Sequence, residues 1–261
     1  MNRFLTFVSL ITLQFVGLAQ TTPETDNDFE KFFKVGGDIF TLPANFNSDD
    51  WIKLSATLGI TGLATLFDKD IKEFTQSNKS VFANHLFSID KYYHIESMII
   101  SIAVIYGYGS LADNESFINL GLRLSEATFY SGLINLSTRY LIGRERPYVS
   151  GEQYIFKPLN FGWDYSSFPS AHTTLSFAFS MVMANESNNF FWKFGWYSLA
   201  GLVGYARIYN NQHWLSDVLM GAALGYFVGE FVNKHETNKK INNPEITVPP
   251  PAISLKIPIS F

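Results

Sequence analysis

Cysteine is missing altogether from these 261 residues, so neither disulfides nor thiolate chemistry can hold or run this protein. Charge is scarce as well. Asp, Glu, Lys and Arg make up 16% of the chain, against roughly 25% in an average soluble protein. The formal net charge of −4 gives no basic surplus, which argues against nucleic acid as a partner. No internal repeat is present, and the only biased tract is the run of three prolines at 249–251. No cluster has metal-ligand spacing. Strict apolar/polar alternation is also absent until the last residues, which excludes a β-rich architecture and leaves helices.

What the chain does have is aromatic residues. It carries 25 Phe, 13 Tyr and 5 Trp, so aromatics equal the charged residues at 16%. That balance leans toward a membrane protein, although the mean hydropathy is only +0.06. The start reads as a secretory signal: Arg3, then an apolar stretch over 5–16, then Gly17-Leu18-Ala19 as a small-x-small cleavage pattern. The rival reading is an uncleaved anchor, but the stretch is short of the ~20 residues a span requires. We divide the chain into a signal peptide (1–19), a polar lead-in without a sustained period (20–50), a helical domain (51–235) and a tail (236–261) in which Ile253, Leu255, Ile257, Ile259 and Phe261 alternate as a short strand would. Within the domain, 51–67 suggests a short helix, 68–91 is charged, and helices are predicted at 95–112, 117–143, 169–187, 190–209 and 213–234. The expected fold class is all-α, a membrane-associated bundle with about five or six apolar helices.

Three clusters carry chemistry. The first, RYLIGRERP over 139–147, puts Arg139, Arg144 and Arg146 at the end of an apolar helix. Guanidinium is a permanently charged fork of donors matched to phosphate oxygens; the plain alternative is an interfacial anchor, where Arg snorkels. Arg144 fits either reading. The second, FPSAHT over 168–173, starts a helix, with Pro169 in the first turn and Ser166 or Ser167 as its cap. Its free amides form an anion site, Ser170 adds a hydroxyl and His172 a titratable ring; it would also pass as an ordinary helix start. The third, RIYNNQHWLSD over 207–217, sets His213 and Asp217 four residues apart, close enough to pair. A carboxylate on one ring nitrogen leaves the other free to attack an electrophile; the plain alternative is a capped helix start with a local ion pair. On the helix count, the ends carrying these clusters emerge on one side of the bundle. Their convergence predicts a phosphate-binding site.

In this order and spacing the clusters resemble the signature of the type 2 phosphatidic acid phosphatase and vanadium-dependent haloperoxidase superfamily: K-x6-R-P, P-S-G-H, then S-R-x5-H-x3-D. Three positions depart from it. Arg139 stands where the family has Lys, Ala171 where it has Gly, and Ala206 where it has Ser. The first keeps the charge, the second keeps a backbone N–H, and the third loses a hydroxyl donor. The resemblance implies His213 as nucleophile through a phosphohistidine, Asp217 orienting it, and His172 protonating the leaving oxygen and later activating water. It further implies that Arg139, Arg146, Ser170, the Ala171 amide and Arg207 hold the phosphate, with no metal and no cofactor. Expected substrates are a lipid phosphate or isoprenyl diphosphate at a membrane. His85, His94 and His235 fall outside the motifs. A cleaved signal and a non-crossing 51–67 stretch would put the site on the outer face, with Lys193, Lys234, Lys239 and Lys240 inside. Two alternatives remain at this stage: a vanadate-dependent haloperoxidase, and a non-catalytic membrane protein that binds anionic lipid.

Overall fold

The computed structural model describes residues 28–93 and 95–242; the expected signal peptide and the strand-like tail lie outside them. Among the described residues nine α-helices follow one another: α1 (Asp28–Thr41), α2 (Ser48–Ala64), α3 (Asp68–Ser77), α4 (Val81–Leu86), α5 (Ile95–Leu111), α6 (Glu115–Ile142), α7 (Ala171–Asn185), α8 (Phe190–Tyr209) and α9 (Leu215–Asn242). Among the described residues there is no strand, only one isolated bridge between Arg144 and Phe156. The protein is an all-α bundle.

The helices start and stop where local chemistry directs. Asn114 caps α6, its side chain accepting from the amides of Ser116 and Phe117. Asn189 does the same for α8 with Phe191 and Trp192, and Asn47 with Asp50 forms a capping box on α2. Gly143 ends α6 in the left-handed region at φ 62°. A Cβ there would sit 1.9 Å from the carbonyl oxygen of Lys157, so the turn that points Arg144 and Arg146 back at the bundle needs glycine.

α6, α7 and α9 form the centre, with α8 against α7 and α5 against α6. Leu124, Ala127, Ala178, Phe179, Val182 and Val232 are among its buried side chains. Gly221, Gly225 and Gly229 form a stripe on α9 that lets α7 approach closely. A Cβ on Gly225 would lie 2.1 Å from the Thr174 carbonyl oxygen, and one on Gly221 2.7 Å from that of Ser170. Small residues at every fourth position permit this backbone contact.

Three expectations are corrected. The lead-in, read as having no sustained period, is over 28–41 helix α1, whose buried Phe32, Val35, Gly36 and Ile39 follow a helical period. The Gly36-Gly37 pair obscured that period in the sequence, and Gly36 is small because it lies against the Tyr130 ring, whose hydroxyl donates to the Phe32 carbonyl at 2.7 Å. The second cluster's helix begins at Ala171 with Ser170 at its N-cap, so Pro169 precedes the helix and neither Ser166 nor Ser167 caps it. His213 precedes α9 and sits in the turn before it. As to membrane crossing, by length and composition one described helix qualifies, Leu215–His235, or two if a bent pair counts as one span; the count of five or six apolar helices rests on the sequence alone.

Candidate active site

The three clusters meet at one end of the bundle. The first touches the second where Arg139 Nη2 donates to the Pro169 carbonyl at 3.3 Å and the Ser167 amide donates to the Arg144 carbonyl at 3.0 Å. The second touches the third where the Ser170 amide donates to the Asp217 carbonyl at 3.0 Å. The third returns to the first where the Trp214 indole donates to the Glu145 carbonyl at 2.9 Å and Arg146 Nη1 to Gln212 Oε1 at 3.1 Å. Arg139 lies in the last turn of α6, Ser170 at the N-cap of α7 with Ala171 and His172 in its first turn, Arg207 in the last turn of α8, and Asp217 in the first turn of α9.

His213 is 2% exposed and its Nδ1–H donates to the Ser167 carbonyl at 2.8 Å. The expected pairing with Asp217 is longer, 3.7 Å from Nδ1 to Oδ2, beyond hydrogen-bond length. Asp217 Oδ2 instead accepts from the Ser167 hydroxyl and, at 2.8 Å, from the Trp214 amide. The carboxylate therefore bears on the imidazole through Ser167, which a spacing of four residues does not predict.

Among the described residues, the buried side-chain nitrogens left without a partner are Arg139 Nε, Arg207 Nε and His213 Nε2. An unpaired buried donor is costly, and these three come from three different elements of one site. Two are cationic donors, and the third is the ring nitrogen opposite the one held by Ser167. The arrangement is complementary to an anion beside a nucleophilic lone pair. His213 is held well below the ordinary imidazole range, first by burial and then by the charges of Arg146, Arg207 and Arg139, so the ring is neutral. Arg146 is pushed down to about 9 by burial and by the same neighbouring cations. It also stacks on Trp163, with the guanidinium carbon 4.3 Å from the ring centroid.

Arg144 resolves differently from either sequence reading. Its Nε donates to the Gln153 carbonyl at 3.1 Å, Nη1 to Ser216 Oγ and Asp217 Oδ1 at 2.7 Å each, and Nη2 to Asp68 Oδ2 at 2.7 Å and the Gln153 carbonyl at 2.8 Å. All five of these bonds go to protein atoms. Sequence reasoning took Ser167 only as a helix cap and gave no site role to Asp68, Gln212 or Asp90, which pairs with Arg207 at 2.6 Å. Asp68 and Asp90 lie in the charged 68–91 stretch outside any motif, so no spacing marks them. No group of three or more His, Asp or Glu among the described residues is placed to hold a metal.

The chain is 38% identical over 104 residues to the lipid A 1-phosphatase of Porphyromonas gingivalis, and 36% identical over 67 residues to the lipid A 4'-phosphatase of the same organism. These stretches take up 38% and 26% of this chain but span only 20% and 28% of those relatives' lengths. Among solved structures, the transmembrane PAP2-type phosphatidylglycerolphosphate phosphatase of Bacillus subtilis superposes with a TM-score of 0.56 at 19% identity, covering 71% of this chain and 96% of that one. Aquifex aeolicus LpxE does so with a TM-score of 0.51 at 20% identity, covering 64% and 95%. Residues 120–240, which contain all three clusters, match the profile of the PAP2 superfamily.

Proposed function

We propose that this protein is a membrane-bound phosphatase that hydrolyses a phosphate monoester or diphosphate of a lipid-like substrate through a phosphohistidine. The observation that carries the reading is the unpartnered His213 Nε2 beside the unpartnered Arg139 and Arg207 Nε atoms. The neutral ring attacks phosphorus with its Nε2 lone pair as the P–O bond to the lipid breaks. His172, in the first turn of α7, gives its proton to the departing oxygen. It then takes one from a water that attacks the phosphohistidine, breaking P–N and releasing inorganic phosphate. During both steps the Nδ1–H stays on the Ser167 carbonyl, which stabilises positive charge on the phosphorylated ring. Arg139, Arg146, Arg207, the Ser170 hydroxyl and the Ala171 amide hold the phosphoryl oxygens. Phosphoryl transfer is mainly positioning and charge neutralisation, and arginines supply both without a metal ion.

Large apolar side chains stand exposed on α2 (Ile52, Ile60, Leu63), α5 (Ile100, Val104, Leu111) and α8 (Phe190, Phe191, Phe194). Faces of this extent are ordinary in lipid and anomalous in water, which supports a membrane setting with the site at one bilayer surface, on our reading the outer one. Among lipid phosphates, the two Porphyromonas relatives favour a phosphate of lipid A. The test is the purified protein against phosphatidate, isoprenyl diphosphate and lipid A with EDTA present, following inorganic phosphate. Release by wild type and none by His213→Ala is expected. Anionic-lipid binding that survives His213→Ala, with no turnover on any substrate, would instead identify a non-catalytic binding protein.

A further inference from the structure

We infer that Asp68 and Arg144 are positioning residues that set His213 through Asp217, and that Arg144 is not one of the phosphate-binding arginines. The inference rests on the phosphatase reading above. A guanidinium has five N–H donors, and those of Arg144 make five hydrogen bonds to protein, with none left to offer a phosphate. Arg139 in the same cluster and Arg207 in the third each keep a buried Nε without a partner, and Arg146, bonded to the Trp163 carbonyl, Gln212 and Ser166, keeps one Nη1–H to offer.

Three of the five bonds lie on a continuous path. Asp68 Oδ1 accepts from the Ser216 amide at 2.8 Å, and its Oδ2 accepts from Ser216 Oγ at 2.6 Å as well as from Arg144. Arg144 then holds Asp217 Oδ1, Asp217 Oδ2 accepts the Ser167 hydroxyl, and the Ser167 carbonyl holds the Nδ1–H of His213. The ionic side chains along it are 2% exposed or less. Two buried carboxylates and one guanidinium bonded in this way stay fixed, since loss of any partner leaves an uncompensated charge. Arg144 also lies against the Trp214 ring, 5.4 Å from its centroid, which closes the network from the other side. The consequence is that a residue of α3, outside every motif, sets the tautomer and direction of the attacking ring.

The test uses the full chain with Asp68→Asn, Arg144→Gln, Arg144→Lys, Ser216→Ala and, as reference, Arg146→Gln. In Asp68→Asn and Arg144→Gln, kcat should fall tenfold or more while KM and inhibition by inorganic phosphate stay within threefold; Arg144→Lys should recover part of the loss. Arg146→Gln should weaken phosphate inhibition tenfold or more. Because Asp68 acts through Asp217, Asp68→Asn should have little further effect in an Asp217→Asn background. A phosphate inhibition constant in Arg144→Gln that rises as it does in Arg146→Gln overturns the inference, as do unchanged kcat values or effects that multiply in the double variant. Should Arg144→Gln not fold, Asp68→Asn and the milder Ser216→Ala carry the same comparison. If wild type turns over nothing, the phosphatase reading fails by itself, and nitrogen-15 spectra of histidine-labelled protein still decide the inference: wild-type His213 should be the Nδ1–H tautomer, and an unaltered His213 signal in Asp68→Asn overturns the path.

Discussion

His213 combines burial, a fixed tautomer and a cationic neighbourhood, and each has a measurable effect. Its depressed proton affinity, caused by burial and then by the three arginines, means that the folded ring stays neutral where the unfolded ring, with a pKa near ~6.5, takes up a proton. The unfolded state then binds more protons, so stability falls as pH drops below about 6.5, by up to about 1.4 kcal/mol per pH unit from this group. Thermal unfolding of wild type should therefore decline more steeply between about pH 6.5 and 5 than that of His213→Gln, which has no ring to protonate; parallel curves would contradict the assignment. Turnover should fall about a thousandfold or more in the same variant, because a removed nucleophile leaves only the residual effect of binding. At Arg146, replacement by Lys keeps the charge but loses the fork that holds Gln212 and Ser166 and the stack on Trp163. A drop in kcat/KM of about a hundredfold is expected for Arg146→Lys, comparable to losing one preorganised donor at a developing charge. Steady-state kinetics on the best substrate of the panel check it.

Among the elements, the α7–α9 contact decides whether the site exists. Ser170 and Asp217 lie opposite each other because the glycine stripe of α9 admits the backbone of α7, and the Ser170 amide reaches the Asp217 carbonyl across that contact. Gly225→Ala would place a methyl 2.1 Å from the Thr174 carbonyl oxygen, so the helices must separate. Overpacking of this kind costs about 1–3 kcal/mol, and the separation should lower turnover as well, although residue 225 touches no reacting group. Thermal unfolding and kcat measured on the same preparation test this, and wild-type values for both would refute it. At α6, the left-handed Gly143 has an analogous role, turning the chain so that its arginines face inward rather than continuing along the helix axis.

At the scale of the molecule, the exposed apolar faces of α2, α5 and α8 contrast with a charged interior end. Attachment that depends on apolar surface is insensitive to ionic strength, whereas attachment through charge is screened within about 10 Å at 0.1 M salt. We expect the protein to stay with the membrane fraction through a 1 M salt wash and to leave it only with detergent. Release by salt alone would mean that it is held at the surface by charge.

The sequence by itself determined the helical class, the positions of α5 to α8 to within a few residues, the start but not the end of α9, and the three clusters, because apolar runs, capping residues and motif spacing are local properties of a chain. It also put Arg139, Ser170, Ala171, His172, Arg207 and Asp217 at helix ends, beside which the fold sets Arg146 and His213 in turns. It could not order the partners. Asp217 was expected to touch His213 directly; in the fold its oxygens are taken by Arg144, Ser167 and Trp214, and a backbone carbonyl holds the ring. Arg144 fitted a substrate contact or a lipid anchor equally, and only the arrival of Asp68, Gln153, Ser216 and Asp217 around it fixes what its donors bind. Helix α1 went unread because Gly36 matters for the packing of Tyr130 and not for local propensity. Local periodicity records which face of a helix is buried; it carries no information about which distant carboxylate will meet a given guanidinium, because that pairing is fixed by how closely the helices pack.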